Sequence, residues 1–423
     1  MRGRLTAAPA VFAPLAGMER LNAPERPPIA VALSGGGDSL ALLYLAKTWA
    51  DGAGRALIAL TVDHGLQPQS ATWSQFAAER AGPLGVPHRT LGWLGVKPSS
   101  GLPAAARTAR HALLADAARS AGARVILMAH TADDLMEAEL MRRMGASTPS
   151  PRLWSPSPAW PQGRGVFLLR PLLAHRRADL RALLASLGET WIDDPANDDL
   201  RYSRTLARQR LAACGAKPAL PGALSPPSGL EAILEGPGGE LSLPRESLSV
   251  CPADRRRLIG ALALCAAGTT RPPSGASLDR IAARVSGGDF GASLAGARIE
   301  ARGDRVTFCR EAGERGRGGL QPLALRLGDS IFDGRFLVTA RRGGYHVAPL
   351  RGLAARLSPS ERDRLRAIWP SARGALPAVV APSGEVSCPI LAPNHAVSAK
   401  PLGLVRLHAA LGVIADESGA TDA

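Results

Sequence analysis

The run Ser34–Ser39, with the sequence SGGGDS, contains the residues best suited to phosphate chemistry. Its three glycines, Gly35, Gly36 and Gly37, let backbone amides approach an anion closely, because no side chain stands in the way. A carboxylate beside a phosphate group repels it unless a divalent cation lies between them, so Asp38 indicates a bound metal. The run therefore predicts a phosphate-binding loop, with a plain capped glycine turn as the alternative.

Two better-known phosphate loops are excluded by the same residues. The chain contains no GxxxxGK[ST] motif. A GxGxxG pattern that begins at Gly35 fails, because Leu40 stands where the third glycine is required. If the loop binds phosphate, it therefore does so through neither of these two motifs.

A second polar group, His130–Glu137, follows an apolar run further along the chain. On a helix, Asp133 and Glu137 are four residues apart and share a face, and His130 lies at the helix entrance. Like charges so placed are unfavourable unless a cation lies between them, which could be Mg²⁺ or a substrate ammonium group. The alternative is a solvated acidic first turn that complements the helix dipole.

Short apolar strands alternate with helical patterns around these residues. Strands are expected directly before Ser34, over Arg55–Gly65 and over Arg124–His130, and helices over Ser70–Gly85, Ala104–Ala121 and Ala132–Met144. This alternation predicts an α/β fold, a mainly parallel sheet with helices on both faces. Ligands bind such sheets at the carboxyl ends of the strands. Ser34–Ser39, Asp63 with His64, and His130–Glu137 all lie there.

The sequence after the second polar segment predicts further secondary structure and additional domains. Residues 148–163 are rich in proline and are expected to form a surface excursion without regular structure. Phe167–Gly188 resumes a strand and a helix, and Trp191–Ala212 predicts an acidic turn followed by an arginine-rich helix. The predicted domains are an N-terminal extension (1–28), a catalytic domain (29–216), a linker (217–228), a mainly helical middle domain (229–312) and a small α+β C-terminal domain (319–423).

Composition bounds the possible functions. The 423 residues, 46% of them hydrophobic, suffice for two or three packed domains. Lysine and arginine outnumber aspartate and glutamate by 51 to 36, which gives a net charge of +15. This excess favours a polyanionic partner such as nucleic acid, with genomic composition bias as the alternative.

Cysteine usage and hydropathy indicate the compartment. The five cysteines are widely spaced and form no CxxC pair, so neither a disulfide framework nor a zinc or iron-sulfur site is indicated. No apolar stretch approaches the roughly 20 residues that span a bilayer. A cytoplasmic protein without a membrane partner is expected, and the sequence leaves its oligomeric state open.

The glycine loop after the first strand resembles the SGGxDS signature of the ATP-pyrophosphatase, or PP-loop, family. Members of that family cleave ATP between the α and β phosphates, and the adenylyl group activates an oxygen that a nucleophile then displaces. The resemblance implies ATP and Mg²⁺ as cofactors. It also implies a nucleotide site that includes Ser34–Ser39, Asp63, His64 and Arg110.

Further blocks resemble tRNA(Ile)-lysidine synthetase in the expected order over about residues 29–211. They are Gly101–Leu114, Ala129–Leu140, Phe167–Leu180 and Trp191–Arg208, the last of which keeps Asp194, Pro195 and Asn197. The resemblance implies a ligase that joins lysine to C2 of the wobble cytidine of tRNA(Ile) with a CAU anticodon. The reaction would pass through an adenylated cytidine and release pyrophosphate and AMP.

The resemblance also implies roles for individual residues. Asp38, His130, Asp133, Asp134 and Glu137 are expected to be catalytic, with Mg²⁺ on Asp38 and Asp134. His130 is the first candidate for the base that deprotonates lysine, and Glu137 or Asp133 the second. Arg107, Arg110, Arg204 and Arg208 are expected to contact ATP or tRNA phosphates; solvated helix faces are the alternative.

The sequence departs from the family at one block, and two other functions remain open. The family's AHHxDDQxET reads AHTADDLMEA here, so that Thr131, Leu135 and Ala138 replace a histidine, a glutamine and a threonine. One alternative is a PP-loop tRNA thiolase, although the first cysteine, Cys214, follows the catalytic motifs. The other is a non-catalytic basic RNA-binding protein with a decayed nucleotide site.

Overall fold

The computed structural model describes residues 15–145, 150–193, 225–313 and 320–422, together with Ala207 and Leu211. The chain forms two compact units. The first contains Met1–Leu224 and Ile414–Ala423, and the second contains Ser225–Val413.

The first unit is built on a six-stranded sheet. Its strands are β1 (Ile29–Ala32), β2 (Leu57–Asp63), β3 (His88–Gly92), β4 (Val125–Leu127), β5 (Trp154–Pro156) and β6 (Phe167–Leu169). Their spatial order is β3-β2-β1-β4-β6-β5, and every neighbouring pair is parallel except β5 with β6. The predicted parallel α/β sheet is confirmed.

Helices cover both faces of this sheet. They are α1 (Gly37–Ala53), α2 (Ser70–Ala81), α3 (Leu102–Ser120), α4 (Ala132–Arg143) and α5 (Arg177–Ser186). Because strand side chains alternate, Ile29 and Val31 pack into the same core as α1, α2 and α5. Ala30 faces the other side, where Leu114 and Ala118 of α3 complete a second core.

The expectation of no regular structure over residues 148–163 was wrong for β5. Trp154 of this strand stacks on Phe167 of β6, with ring centroids 4.9 Å apart. Pro156 is compatible with a strand because β5 lies at the edge of the sheet, where a missing backbone donor costs little. Aromatic packing therefore outweighs the proline content of the segment.

The second unit contains two cores and antiparallel sheets. The first core contains a five-stranded sheet. Its strands are β7 (Leu234–Glu235), β8 (Leu241–Pro244), β9 (Phe290–Leu294), β10 (Ala297–Arg302) and β11 (Arg305–Arg310), and their spatial order is β7-β8-β11-β10-β9. Helices α6 (Pro252–Ala267) and α7 (Gly275–Arg284) pack on it.

The second core lies between two smaller sheets. Their strands are β12 (Leu323–Ala324), β13 (Gly328–Phe332), β14 (Phe336–Ala340), β15 (His346–Pro349), β16 (Pro377–Val380), β17 (Val386–Ser387) and β18 (Val397–Pro401). Helices α8 (Pro359–Leu365) and α9 (Pro370–Arg373) belong to the same region, whereas α10 (Gly403–Leu411) contributes Leu407 and Leu411 to the preceding core.

The end of the chain is grouped differently from the sequence-based domains. Residues 414–423, which the sequence analysis included in the C-terminal domain, belong to the first unit. The other predicted boundaries stay predictions. Among the described residues, no helix is both long enough and apolar enough to cross a membrane.

Candidate active site

The glycine loop lies at the carboxyl end of β1 and leads directly into α1. The backbone amide of Ser34 donates to Ser39 Oγ at 3.1 Å, and Ser39 Oγ donates to the Gly36 carbonyl at 2.9 Å. These two bonds connect the Ser39 side chain, at the end of the loop, to the backbone of its first and third residues. Its amides therefore lie at the amino terminus of α1, where a helix favours an anion.

A second segment packs on this loop and explains one of its glycines. The Ile192 amide donates to the Gly35 carbonyl at 3.0 Å, and Gly36 and Ile192 form an isolated parallel bridge. Gly35 has a φ of +83°, and a Cβ there would lie 2.6 Å from Ile192 Cδ1. The position therefore requires glycine both for its backbone conformation and for close packing.

The loop opens into a cavity at the point where the strand order reverses between β1 and β4. The cavity has a volume of about 520 Å³, within the range of small-molecule sites. The sequence-predicted residues that line it are Ser34, Gly36, Asp38, Ser39, Asp63, His64, Arg110, His130 and Asp134. The structure thus brings together the ends of three strands, as expected for a sheet of this type.

The carboxylates of the site share one cation, an arginine side chain that was not predicted from the sequence. Arg177, at the start of α5, lies 3.0 Å from Asp38, 3.7 Å from Asp134 and 3.4 Å from Glu137. Burial lowers the pKa of Arg177, but the three carboxylates outweigh burial and raise it above the ordinary arginine value. The sequence predicted Mg²⁺ or a substrate ammonium in this place, and an arginine already occupies part of it.

Asp133 has a separate partner. Its carboxylate receives hydrogen bonds from Arg176 Nε and Nη2 at 3.2 and 3.0 Å, and from the Arg177 amide at 2.7 Å. Burial would raise the pKa of Asp133, but these donors hold it below its usual range. Asp133 and Glu137 share a helix face, yet they are neutralised by different arginines.

Of the predicted metal-binding carboxylates, Asp38 and Asp134 both line the cavity and could hold Mg²⁺ there. Burial raises the pKa of Asp38, an effect that Arg177 partly offsets. Its buried Oδ1 accepts no hydrogen bond from the described residues. Asp134 Oδ2 is held by the amide and hydroxyl of Thr131, at 2.7 and 3.0 Å. The described residues contain no group of three or more metal ligands, but Mg²⁺ commonly uses one or two carboxylates together with substrate phosphates.

Several histidine and arginine residues lie at the cavity or contact residues that line it. Arg170 Nε donates to His130 Nδ1 at 3.2 Å. His111 of α3 is buried, and burial, helped by Arg110 and Arg107, lowers its pKa to about 2. Arg110 lines the cavity, whereas Arg107 is exposed on α3 and is not among the lining residues.

Asp63 and His64 end β2 on the same rim. Asp63 Oδ1 accepts from the Gly65 amide at 2.8 Å and so shapes the turn that follows the strand. His64 packs edge-on against Trp93, and burial followed by the charge of Arg110 lowers its pKa. A neutral imidazole is therefore available at the rim of the cavity.

Three arginines close to the site were not predicted from the sequence, and some predicted residues lie outside the part of the chain that the structure describes. Arg170, Arg176 and Arg177 were not singled out, although all three lie in the block Phe167–Leu180. The signal was that Arg170 directly follows β6 and that Arg176 and Arg177 begin α5, in the connection that leaves the carboxyl end of this parallel strand. The predicted contacts Arg204 and Arg208, with Asp194, Pro195 and Asn197, lie outside the described residues.

The sheet is mainly parallel, a glycine loop follows its first strand, and the cavity lies at the switch point, where the strand order reverses. These features define a nucleotide-binding α/β domain of the PP-loop class. The family model described as the PP-loop domain matches residues 16–214 of this chain.

Relatives extend the similarity beyond this domain. A tRNA(Ile)-lysidine synthase from Caulobacter vibrioides is 49% identical over 86% of this chain and 87% of the relative. Proteins of the same name from Hyphomonas neptunium and Mesorhizobium japonicum are 40% and 34% identical, over 68% and 87% of this chain and 82% and 87% of their own lengths. The chain belongs to the tRNA(Ile)-lysidine synthase family.

Proposed function

We propose that this protein is an ATP-dependent ligase that joins L-lysine to C2 of the wobble cytidine in tRNA(Ile) with a CAU anticodon. The observation that carries the proposal is the cavity itself. The phosphate-binding loop lines the same space as Arg177 and two carboxylates that pair with it, Asp38 and Asp134, where the strand order of the sheet reverses. Membership of the lysidine synthase family supports the choice of substrate.

In the first step, the cytidine is adenylated. The phosphates of ATP bind the amides of Ser34–Ser39 and the amino terminus of α1. Mg²⁺, held by Asp38 with Asp134, would neutralise phosphate charge beside these carboxylates. The O2 oxygen of cytidine attacks the α phosphorus, the bond to the β phosphate breaks, and pyrophosphate leaves.

In the second step, lysine displaces AMP. The neutral ε-amine forms a bond to C2, the bond between C2 and O2 breaks, and AMP leaves with that oxygen. The amine must lose a proton, so a base is required. Asp133 is poorly suited because three hydrogen bonds stabilise its charged form. His130 and Glu137 remain as the candidates.

The proposal is tested by incubating the protein with ATP, Mg²⁺, labelled lysine and tRNA(Ile) with a CAU anticodon. We expect ATP-dependent entry of label into the RNA. Absence of incorporation by folded protein that binds the tRNA would contradict the proposal.

Asp38→Ala should abolish turnover and leave tRNA binding nearly unchanged, because Asp38 lies in the loop to which we assign the nucleotide. The matched control is Asp51→Ala, near the other end of α1, where the carboxylate is exposed and pairs with Lys47. Equal loss of turnover and tRNA binding in Asp38→Ala would indicate a structural role.

The thiolase alternative has less support. Three of the described cysteines, Cys265, Cys309 and Cys388, are buried in the second unit, and burial raises the pKa of each thiol. A buried thiol of raised pKa is a weak sulfur nucleophile. Transfer of sulfur rather than lysine to the tRNA in the same assay would favour this alternative.

A further inference from the structure

Arg170, the residue after β6, is a buried cation held by neutral partners. Its relative exposure is 7%, and it forms no ion pair within the part of the chain that the structure describes. Its Nη1 donates to the Arg152 carbonyl at 2.8 Å and to Ser155 Oγ at 3.0 Å. These bonds to the neighbouring edge segment fix the plane of the guanidinium.

The third bond of Arg170 is directed at the candidate site. Its Nε lies 3.2 Å from His130 Nδ1, and a guanidinium can only donate hydrogen bonds. Burial lowers the pKa of Arg170 to about 10, so the side chain still carries its proton at neutral pH. His130 Nδ1 must therefore accept.

This contact determines the protonation state of the imidazole. A doubly protonated ring would place an N–H group and a positive charge against the guanidinium, so the contact requires a neutral ring. In a neutral imidazole with an accepting Nδ1, the proton resides on Nε2. His130 lines the cavity together with Ser34 and Asp38 of the phosphate loop.

We propose that Arg170 is a positioning residue that holds His130 as the neutral Nε2–H tautomer, so that His130 donates a hydrogen bond to a phosphate oxygen of the nucleotide. This inference rests on the proposed function and deepens it. His130 stabilises negative charge as AMP leaves, and it transfers no proton. We assign the proton from the lysine amine to Glu137, the other candidate base, which does not itself line the cavity but pairs with the cavity-lining Arg177.

The tautomer is measured directly in the full-length protein labelled with ¹⁵N-histidine. Comparison with His130→Gln assigns the His130 resonances. We expect a protonated Nε2 and an unprotonated Nδ1 at neutral pH in the wild type. A ring protonated on Nδ1, or on both nitrogens, would overturn the proposal.

Two substitutions separate positioning from a structural role for Arg170. Arg170→Met removes the donor, and we expect the Nδ1–H form of His130 to appear. Arg170→Gln retains an amide donor and should preserve more of the Nε2–H form. The buried His111 reports on folding in the same spectra. An unchanged His130 tautomer in a folded Arg170→Met variant contradicts the positioning role.

Kinetics separate a hydrogen-bond donor from a base. The amide nitrogen of glutamine can take the position of His130 Nε2 and donate the same hydrogen bond. The amide of asparagine is shorter and reaches only the position of Nδ1. We expect His130→Asn to lower the rate of AMP release by about 10²–10³-fold, as for loss of one oxyanion donor, and His130→Gln to lower it less than about tenfold. Equal losses would assign His130 as the base.

The two proposals fail in distinguishable ways. If wild-type protein formed no lysidine although its His130 carried the proton on Nε2, the proposed function would fail and the tautomer would stand. If lysidine formed while Nδ1 carried the proton, the role of Arg170 would fail and the proposed function would stand.

Discussion

At the scale of single residues, the candidate site is organised by arginines that neutralise its carboxylates. Arg177 forms ion pairs with Asp38, Asp134 and Glu137, and Arg176 forms an ion pair with Asp133. Glu137 is 2% exposed, and a carboxylate buried to this extent requires a charged or hydrogen-bonding partner. The acidic cluster is therefore compatible with a stable fold before any ligand binds.

Replacing Arg177 by methionine should destabilise the first unit. The substitution leaves the buried carboxylates of Asp134 and Glu137 without their shared cation. We expect a loss of about 2 kcal/mol, below the full cost for a completely buried pair, because the Arg177 side chain is itself 20% exposed. Urea unfolding at pH 7 measures the change. Arg143→Met is the control, because that side chain is 74% exposed and its pair with Glu139 should contribute less than about 1 kcal/mol. Equal effects of the two substitutions would contradict the role assigned to Arg177.

His111 predicts a pH dependence of stability. Its pKa is about 2 in the folded chain, whereas an exposed histidine has a pKa of 6.5. The unfolded chain therefore binds a proton between these values that the folded chain does not, so stability falls as pH drops below about 6.5. Between pH 7 and pH 5 this group accounts for a loss of about 2 kcal/mol, from about 1.4 kcal/mol per pKa unit.

His111→Phe removes the titrating group and should reduce the difference in unfolding free energy between pH 7 and pH 5 by that amount. Chemical denaturation at the two pH values measures it. A difference as large as in the wild type would show that another group carries the acid sensitivity.

At the scale of elements, the sequence predicts the parts with strong local patterns. The alternation of strand and helix and the glycine run before α1 specify the parallel sheet and the edge where ligands bind. Strand β3 and strand β5 were missed because β3 is mostly polar and β5 lies among prolines, so neither has a clear apolar period. Arg177 was missed because its three partners come from α1 and α4, and only the folded sheet brings these elements together.

The packing of Ile192 on the glycine loop predicts a specific effect of Gly35→Ala. The added methyl group would meet Ile192 and force a backbone with φ of +83° on an L-residue. We expect ATP affinity to fall at least about tenfold, because the loop amides would move from the phosphate site, a cost of about 1.4 kcal/mol or more. Isothermal titration with ATP and Mg²⁺ measures the affinity.

The matched control for this loop is Gly52→Ala in α1. An added Cβ at that position has no neighbour within 4 Å among the described residues, and alanine favours a helix over glycine. Its ATP affinity should equal that of the wild type. An unchanged affinity in Gly35→Ala would refute the steric account of the loop.

At the scale of the whole molecule, the end of the chain completes the first unit. Glu417 is fully buried and forms a bidentate pair with Arg55, at 2.8 and 3.1 Å. The Trp154 indole donates to the Ile414 carbonyl at 2.9 Å. No local pattern predicts these contacts, because the paired residues are 362 and 260 positions apart. Residues 414–423 therefore could not be assigned to the first unit from the sequence.

The buried pair predicts that the C-terminal segment is required for the stability of the sheet. Glu417→Gln leaves the Arg55 guanidinium, whose side chain is 3% exposed, without a counter-charge, and we expect a loss of about 3–5 kcal/mol. Hydrogen exchange of the amides of β1 measures the effect within the first unit, because Arg55 also donates to the Pro27 carbonyl just before that strand.

Glu139→Gln is the control for Glu417→Gln, since the Glu139 carboxylate is 47% exposed. The double variant Arg55→Met, Glu417→Leu should recover part of the loss, because it removes both charges together. If Glu417→Gln exchanged no faster than Glu139→Gln, the segment would contribute nothing to the sheet.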